Sequence, residues 1–362
     1  MTDPRVLIVG NFLSAQGAAR GVCEELAPRL QASGWTTLTT SSRPSRPARL
    51  ADMMWTVWSR RDEYDVAQVD VYSGPAFFWA ESVCWMLRRV GRPYILTLHG
   101  GGLPDFARAK RERVLGLLNS AAAVTVPSPY LLDKMRAYRS DLILMPNALQ
   151  ISAYRSPGPH LVQPNIFWLR AFHELYNPCM AVRVVARLKE EFPSIHLTMV
   201  GPDKGDSTLE KTVALAKTLE LGSHVEIRGP VPKAEVPGLL SGGDIFLNTS
   251  NVDNTPVTVL EAMASGMCVV STEVAGIPYL LKSGQDALLV PVNDDAAMAA
   301  AVRRLLTDEA LAGRIQAASA NKIRAFDWNE LLPRWKELFL SVKRKISSGS
   351  YSSALSDLTS TS

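Results

Sequence analysis

The sequence predicts an α/β fold of two similar halves, each a parallel sheet covered by crossover helices. Three observations predict it. Short apolar runs alternate with helix-period segments along nearly the whole chain, as strands feeding crossover helices do. Gln150 to Pro164 is rich in proline and glycine, carries little periodicity and separates two such series. A length of 362 residues exceeds one small domain and suits two with an excess.

In the first series, strands are expected at Val6–Val9, Trp35–Thr40, Val66–Val71, Tyr94–Leu98, Val124–Pro127 and Leu142–Met145. Each is a short apolar or β-branched run followed by helix or turn signals. Between the first two, a helix opens near Gly17, puts Val22, Leu26 and Leu30 on one face and stops at Gly34, a residue suited to a left-handed cap. The second series places strands at Ile166–Leu169, Ile195–Val200, Val225–Ile227, Ile245–Asn248, Cys268–Ser271 and Ala287–Val290. Asn177-Pro178 reads as an N-cap followed by proline at the first helical position, opening a helix that buries Val184, Val185 and Leu188. From Asp327, the residues Trp328, Leu331, Leu332, Trp335, Leu338 and Phe339 form one helical face that must pack on something. The expected divisions are therefore 1–160, 165–326, a helix at 327–345 and a flexible tail at 346–362.

Composition narrows the function. Hydrophobic residues at 47% and charged residues at 20% exclude global disorder. The four cysteines, Cys23, Cys84, Cys179 and Cys268, lie far apart without a C-x-x-C pair, so buried free thiols are expected rather than a zinc knuckle or a disulfide framework. The apolar run Val6 to Gly10 is too short for a signal peptide, and cytoplasmic residence is expected. The charge-free stretch Val114 to Leu132 is broken by Asn119, Ser120, Pro127 and Pro129, so no membrane span is expected. Residues 1–165 carry 19 Lys+Arg against 13 Asp+Glu, and residues 166–340 carry 17 against 21. The basic front half suits peripheral contact with an anionic membrane or an acidic acceptor; scattered solvated arginines would give the same count. The basic residues do not interleave with aromatics in a recognisable module, so no nucleic-acid partner is expected. The aromatic segments Met53 to Trp58 and Phe77 to Leu87 are expected in the core. Exposed beside Arg60, Arg61, Arg88 and Arg89, they would instead form an interfacial patch for a lipid-linked acceptor.

The most informative segment is Asp253-Asn254-Thr255-Pro256-Val257-Thr258-Val259-Leu260-Glu261-Ala262-Met263-Ala264-Ser265-Gly266. Pro256 suits the first helical position and Gly266 the C-terminal cap. The helix thus opens at a strand's carboxyl end, where open α/β sheets bind ligands. Free backbone N–H groups around Thr255, Val257 and Thr258 would form an anion site. Asp253 precedes the opening and Glu261 lies inside the helix, so one carboxylate can accept from a sugar ring while the other holds a ribose. The combination suits a sugar nucleotide.

These residues resemble those of the retaining glycosyltransferases of family 4, which have the GT-B fold of two Rossmann-like domains with parallel sheets facing a central cleft. Their hallmark is a glutamate, seven residues, a second glutamate and a small-residue helix ending in glycine. Glu261-Ala-Met-Ala-Ser-Gly266 matches the second half, Asp253 stands at the first acid, and Val269 to Pro278 is similar to the strand and loop that follow. The resemblance implies an acceptor-side first domain, a nucleotide-sugar-binding second domain and a C-terminal helix crossing back to the first. It implies that Asp253 bonds the donor sugar, that Glu261 holds the ribose, and that Asn254, Thr255, Pro256, Val257 and Thr258 receive the diphosphate. Aspartate is shorter than the usual glutamate by one C–C bond, roughly 1.5 Å, which shifts sugar placement or changes the donor.

The resemblance also assigns Arg170 to the donor phosphates, as a planar, permanently charged donor. The usual lysine five residues later is missing, since Leu175 and Tyr176 stand there, and Lys204 in the loop Gly201 to Gly205 is the substitute proposed. His99, at a strand's end before Gly100-Gly101-Gly102, is placed beside the donor sugar, where its imidazole can donate a hydrogen bond. Gly17 is placed in the first-domain loop near the donor phosphates. His160, His173, His196 and His224 receive no role.

The activity implied is a retaining, metal-independent hexosyltransferase working in the domain cleft. It would move a sugar from a nucleotide diphosphate-sugar to a sugar or lipid-linked acceptor hydroxyl, in polysaccharide or glycolipid biosynthesis. No D-x-D segment is present, and no cofactor is implied. Three alternatives stand beside it: an epimerase or phosphorylase on the same fold, a nucleotide-sugar-binding protein without catalysis, and a nicotinamide oxidoreductase. The absence of G-x-G-x-x-G after the first strand argues against the last.

Overall fold

The structure, a computed structural model, describes residues 3–14 and 21–347. It divides into two compact units, Met1–Ala148 with Asn329–Ser362 and Leu149–Trp328. Gly17, the expected opening of the first helix and a candidate site residue, lies outside the described residues.

Unit 1 runs β1 (Val6–Val9), α1 (Val22–Ala32), β2 (Thr37–Thr40), α2 (Arg46–Ser59), β3 (Val66–Val71), α3 (Phe77–Arg89), β4 (Tyr94–Leu98), α4 (Leu103–Ala109), α5 (Arg111–Asn119), β5 (Ala123–Val126), α6 (Pro129–Met135) and β6 (Ile143–Leu144). Its strands form one parallel sheet in the order β2-β1-β3-β4-β5-β6. Strands β1, β3, β4 and β5 are buried along their whole length, which is why they read as continuous apolar runs. In α1, Cys23, Leu26 and Leu30 face the sheet and Gly34 follows with φ +88°, the left-handed stop that glycine takes without a Cβ clash.

Unit 2 runs β7 (Asn165–Leu169), α7 (Pro178–Leu188), β8 (His196–Val200), α8 (Thr208–Thr218), β9 (Val225–Arg228), α9 (Val236–Leu240), β10 (Ile245–Asn248), α10 (Val257–Ala264), β11 (Cys268–Thr272), α11 (Ile277–Leu280), β12 (Leu288–Val290), α12 (Asp295–Thr307) and α13 (Glu309–Ile323). The parallel sheet order is β12-β11-β10-β7-β8-β9. Pro178 holds the first position of α7 as its sequence implies. Asn177, however, does not cap it: the residue is left-handed with φ 45° and its amide donates to Asn293 Oδ1 at 2.8 Å.

Each sheet reverses direction once. In unit 1 the chain winds outward on either side of β1 and β3, and in unit 2 on either side of β7 and β10. Helices leave the sheet in opposite directions at such a point and open a crevice above the strands' carboxyl ends.

The last helix, α14 (Trp328–Ser347), closes the core of unit 1 through Leu331, Trp335, Phe339 and Val342. Phe339 lies between Trp335 and Trp35, with ring centroids at 5.8 and 6.2 Å, and Lys343 Nζ reaches Asp65 Oδ2 at 3.3 Å. The other aromatic segments depart from expectation. Met53, Val57, Phe77 and Leu87 are buried as core residues, but Trp55, Trp58, Phe78 and Trp85 are 47–63% exposed. Helices α2 and α3 are apolar on more than one face, and only one face of each meets the core. Arg61 lies over Trp58 and Arg89 over Trp85, each at 5.7 Å. Among the described residues no helix is long and apolar enough to cross a membrane.

Candidate active site

The crevice of unit 2 is built by the residues that follow β7 and β10. Arg170 leaves β7 and lies against the turn after β8, where a Cβ on Gly201 would sit 1.7 Å from the Arg170 carbonyl oxygen. Only glycine permits that approach. The guanidinium stacks over Tyr176 at 4.7 Å and donates to Asp253 Oδ2. Burial pulls its pKa down from the ordinary arginine value. Two partners finish the Asp253 carboxylate: Ser250 Oγ donates to Oδ2 at 3.2 Å, and the Asn254 N–H donates to Oδ1 at 2.9 Å. Trp168 Nε1 donates to Thr249 Oγ1 at 2.9 Å, and that hydroxyl donates to the Tyr176 carbonyl at 2.6 Å. The loops after β7 and β10 are thereby braced to each other.

Helix α10 opens toward this pair. Pro256, expected inside the helix, is its N-cap and supplies no side-chain cap, so the Val257 and Thr258 N–H groups have no acceptor among the described residues. Four buried side-chain atoms around the opening also lack partners: Arg170 Nε, Thr255 Oγ1, Thr258 Oγ1 and Glu261 Oε2. Buried polar atoms rarely stay unpaired, and a cluster of them marks a place built for something polar. Glu261 is 1% exposed; its Oε1 accepts from Tyr154 Oη at 2.7 Å and from Lys233 Nζ. At the far end Gly266, with φ +82°, follows the C-cap Ser265.

The structure thus brings Arg170 to Asp253 and sets Thr255, Thr258 and Glu261 along one helix opening. It leaves Lys204 exposed in the loop after β8, tied in only by its backbone N–H to the Phe172 carbonyl at 3.2 Å. Tyr154 and Lys233 escape a reading of the sequence, being 107 and 28 positions from Glu261. No group of three His, Cys, Asp or Glu side chains able to hold a metal occurs among the described residues.

In unit 1, His99 follows β4, with its N–H donated to the Val71 carbonyl at 2.8 Å. The ring lies 4.8 Å from that of Tyr72, nearly parallel, and Nε2 is 3.0 Å from Asp70 Oδ1. Gly100 follows with φ +86°.

Residues 163–308 match the family described as glycosyl transferases group 1. A phosphatidyl-myo-inositol mannosyltransferase of Mycobacterium leprae is 23% identical over 287 residues, covering 75% of this chain and 72% of the relative. Other curated relatives are matched over about half of their length or less. Among solved structures, the sucrose-phosphate synthase of Thermosynechococcus elongatus superposes with a TM-score of 0.72 at 18% identity, covering 93% of this chain and 98% of the other. Anabaena HepE in complex with UDP and glucose gives a TM-score of 0.69 at 15% identity, covering 96% and 100%. The family match lies on the unit that carries Arg170, Asp253 and Glu261, and the fold likeness runs through both units: residues 163–308 are similar to glycosyl transferases group 1, and the chain has the GT-B fold.

Proposed function

We propose that the protein transfers a sugar from a nucleotide diphosphate-sugar to an acceptor hydroxyl with retention of anomeric configuration. The unpaired polar atoms at the switch point of unit 2 carry this reading. Arg170 Nε, the Val257 and Thr258 N–H groups and the two threonine hydroxyls are donors suited to a diphosphate. Glu261 Oε2 is an empty acceptor suited to a ribose hydroxyl. Asp253, next to Arg170, accepts from the transferred sugar.

The protein's part in such a transfer is orientation and charge. As the bond to the anomeric carbon breaks, negative charge grows on the departing phosphate, and a guanidinium with preset amides stabilises it without reorganising. The same phosphate takes the proton of the incoming hydroxyl on the face it leaves, which gives retention. Arginine stays protonated even when burial lowers its pKa, because its ordinary value is so high.

The acceptor is a sugar or lipid-linked hydroxyl compound, met at the cytoplasmic face of a membrane. Trp55, Trp58, Phe78 and Trp85 support this: four large aromatics stand exposed on two adjacent helices, with Arg61 over Trp58 and Arg89 over Trp85. Aromatic rings with cationic neighbours suit the headgroup region of an anionic bilayer.

Thermal-shift measurements with UDP-, GDP- and ADP-sugars, followed by mass analysis of products, test the reading. At least one of these donors raises the melting temperature. Glu261→Ala abolishes most of that shift, and Arg170→Ala lowers turnover on the order of 10²-fold. Asp253→Ala reduces transfer more than binding of the bare nucleotide. Donor turnover that needs no acceptor would point to an epimerase instead.

A further inference from the structure

We propose that Asp70 is a positioning residue that keeps the His99 ring as a hydrogen-bond acceptor for a substrate hydroxyl. The inference reverses the donor role expected of this imidazole. It rests on the chemistry of one buried carboxylate.

Asp70 lies near the carboxyl end of β3, at the switch point of the unit 1 sheet and in register with Thr97 of β4. Its side chain is 2% exposed and that of His99 11%. Two nitrogen atoms converge on Asp70 Oδ1, His99 Nε2 at 3.0 Å and Gln68 Nε2 at 2.8 Å. The Gln68 amide also donates to Thr97 Oγ1 at 2.8 Å, which fixes its nitrogen toward the acid. A carboxylate only accepts, so the His99 proton resides on Nε2. The stack on Tyr72 holds the ring plane. In the neutral imidazole Nδ1 then bears the lone pair, and among the described residues it has no partner. A hydroxyl is the natural donor to it.

The chain passes close over this acid. A Cβ on Gly10, directly after β1, would lie 2.8 Å from Asp70 Oδ2 and 2.6 Å from Cys23 Sγ. Of the titratable neighbours, Cys23 on α1 and Tyr72 beyond β3 are driven up by burial and stay neutral in any ordinary assay. Glu24 on α1 is committed to the Ser14 and Gly21 N–H groups at 2.9 and 3.1 Å. The loop after β1 offers Gly10 and Asn11, neither titratable. Asp70 is therefore the charge in hydrogen-bond contact with the ring.

Asp70→Asn, nearly equal in volume, removes the charge and lets the side-chain amide favour the other tautomer. It should lower kcat about tenfold or more and leave KM within about twofold. Nitrogen-15 NMR of the wild-type protein gives a readout that needs neither a variant nor turnover: His99 should carry its proton on Nε2. A proton on Nδ1, or an undiminished kcat in Asp70→Asn, overturns the proposal. Failure of all sugar transfer would instead remove the functional reading and leave the tautomer result standing.

Discussion

The two acids of unit 2 announce themselves through spacing, but the groups that hold them do not. Asp253 and Glu261 stand on either side of a helix opening, and a strand's end before that opening suffices to make them candidates. Tyr154 comes from a turn with no periodic signal, and Lys233 from a loop before a helix of only five residues, Val236–Leu240. Their convergence on Glu261 Oε1 is a tertiary event, visible only when the sheet order is known. The same geometry separates two lysines. Lys233 touches Glu261, the acid proposed to hold the ribose, whereas the Lys204 side chain has no contact with it. Lys233→Ala should raise the Kd for the donor nucleotide about tenfold, and Lys204→Ala should leave it within about twofold, measured by calorimetry. The reverse order would restore Lys204 to the phosphate site.

At the scale of elements the sequence is most transparent where burial is complete. Strands buried on both faces read as unbroken apolar runs, and even the partly exposed β2, β6 and β9 are legible to within two residues from their short β-branched or apolar runs. Helices α2 and α3 were less so, because tryptophans on two faces leave the core-facing side undecided until packing chooses it. Close approaches between elements were invisible. Gly201 meets the backbone that leads out of β7, and Gly201→Ala should cost ~2 kcal/mol or more in urea denaturation and displace Arg170. An unchanged midpoint with full activity would count against that contact. Helix α14 offers a second element-scale test through Asp65. Burial pushes its carboxyl up, but bonds from the Arg5 side chain and N–H, with the Lys343 charge, outweigh it and bring the value to about 2. The folded value lies below the ordinary 3.8, so the stabilisation is present above that pH and lost as pH falls toward 2. Asp65→Asn should be less stable than wild type at pH 6 by about 1 kcal/mol, modest because Arg5 stays in contact with water. The difference should shrink as pH falls through about 2 and vanish only below it, as acid-dependent melting curves can establish.

Over the whole molecule, charge and aromatic surface point the same way. Residues 1–165 hold the excess of arginine and lysine, and the exposed tryptophans belong to the same stretch. Sedimentation with vesicles containing phosphatidylglycerol should recover the wild-type protein. The double variant Trp55→Ser/Trp58→Ser should partition several-fold less, with unaltered circular dichroism. Equal partitioning would move any lipid contact to another surface.

The make-up of unit 1 has a consequence for biosynthesis. Its sheet is translated before unit 2, yet Trp335, Phe339 and Val342, which close its interior, are translated after it. The earlier-translated sheet must wait with an apolar flank uncovered while the second half is synthesised and matures. Vectorial synthesis thus completes unit 2 before unit 1, and a nascent chain halted short of α14 exposes a greasy seam to any chaperone nearby.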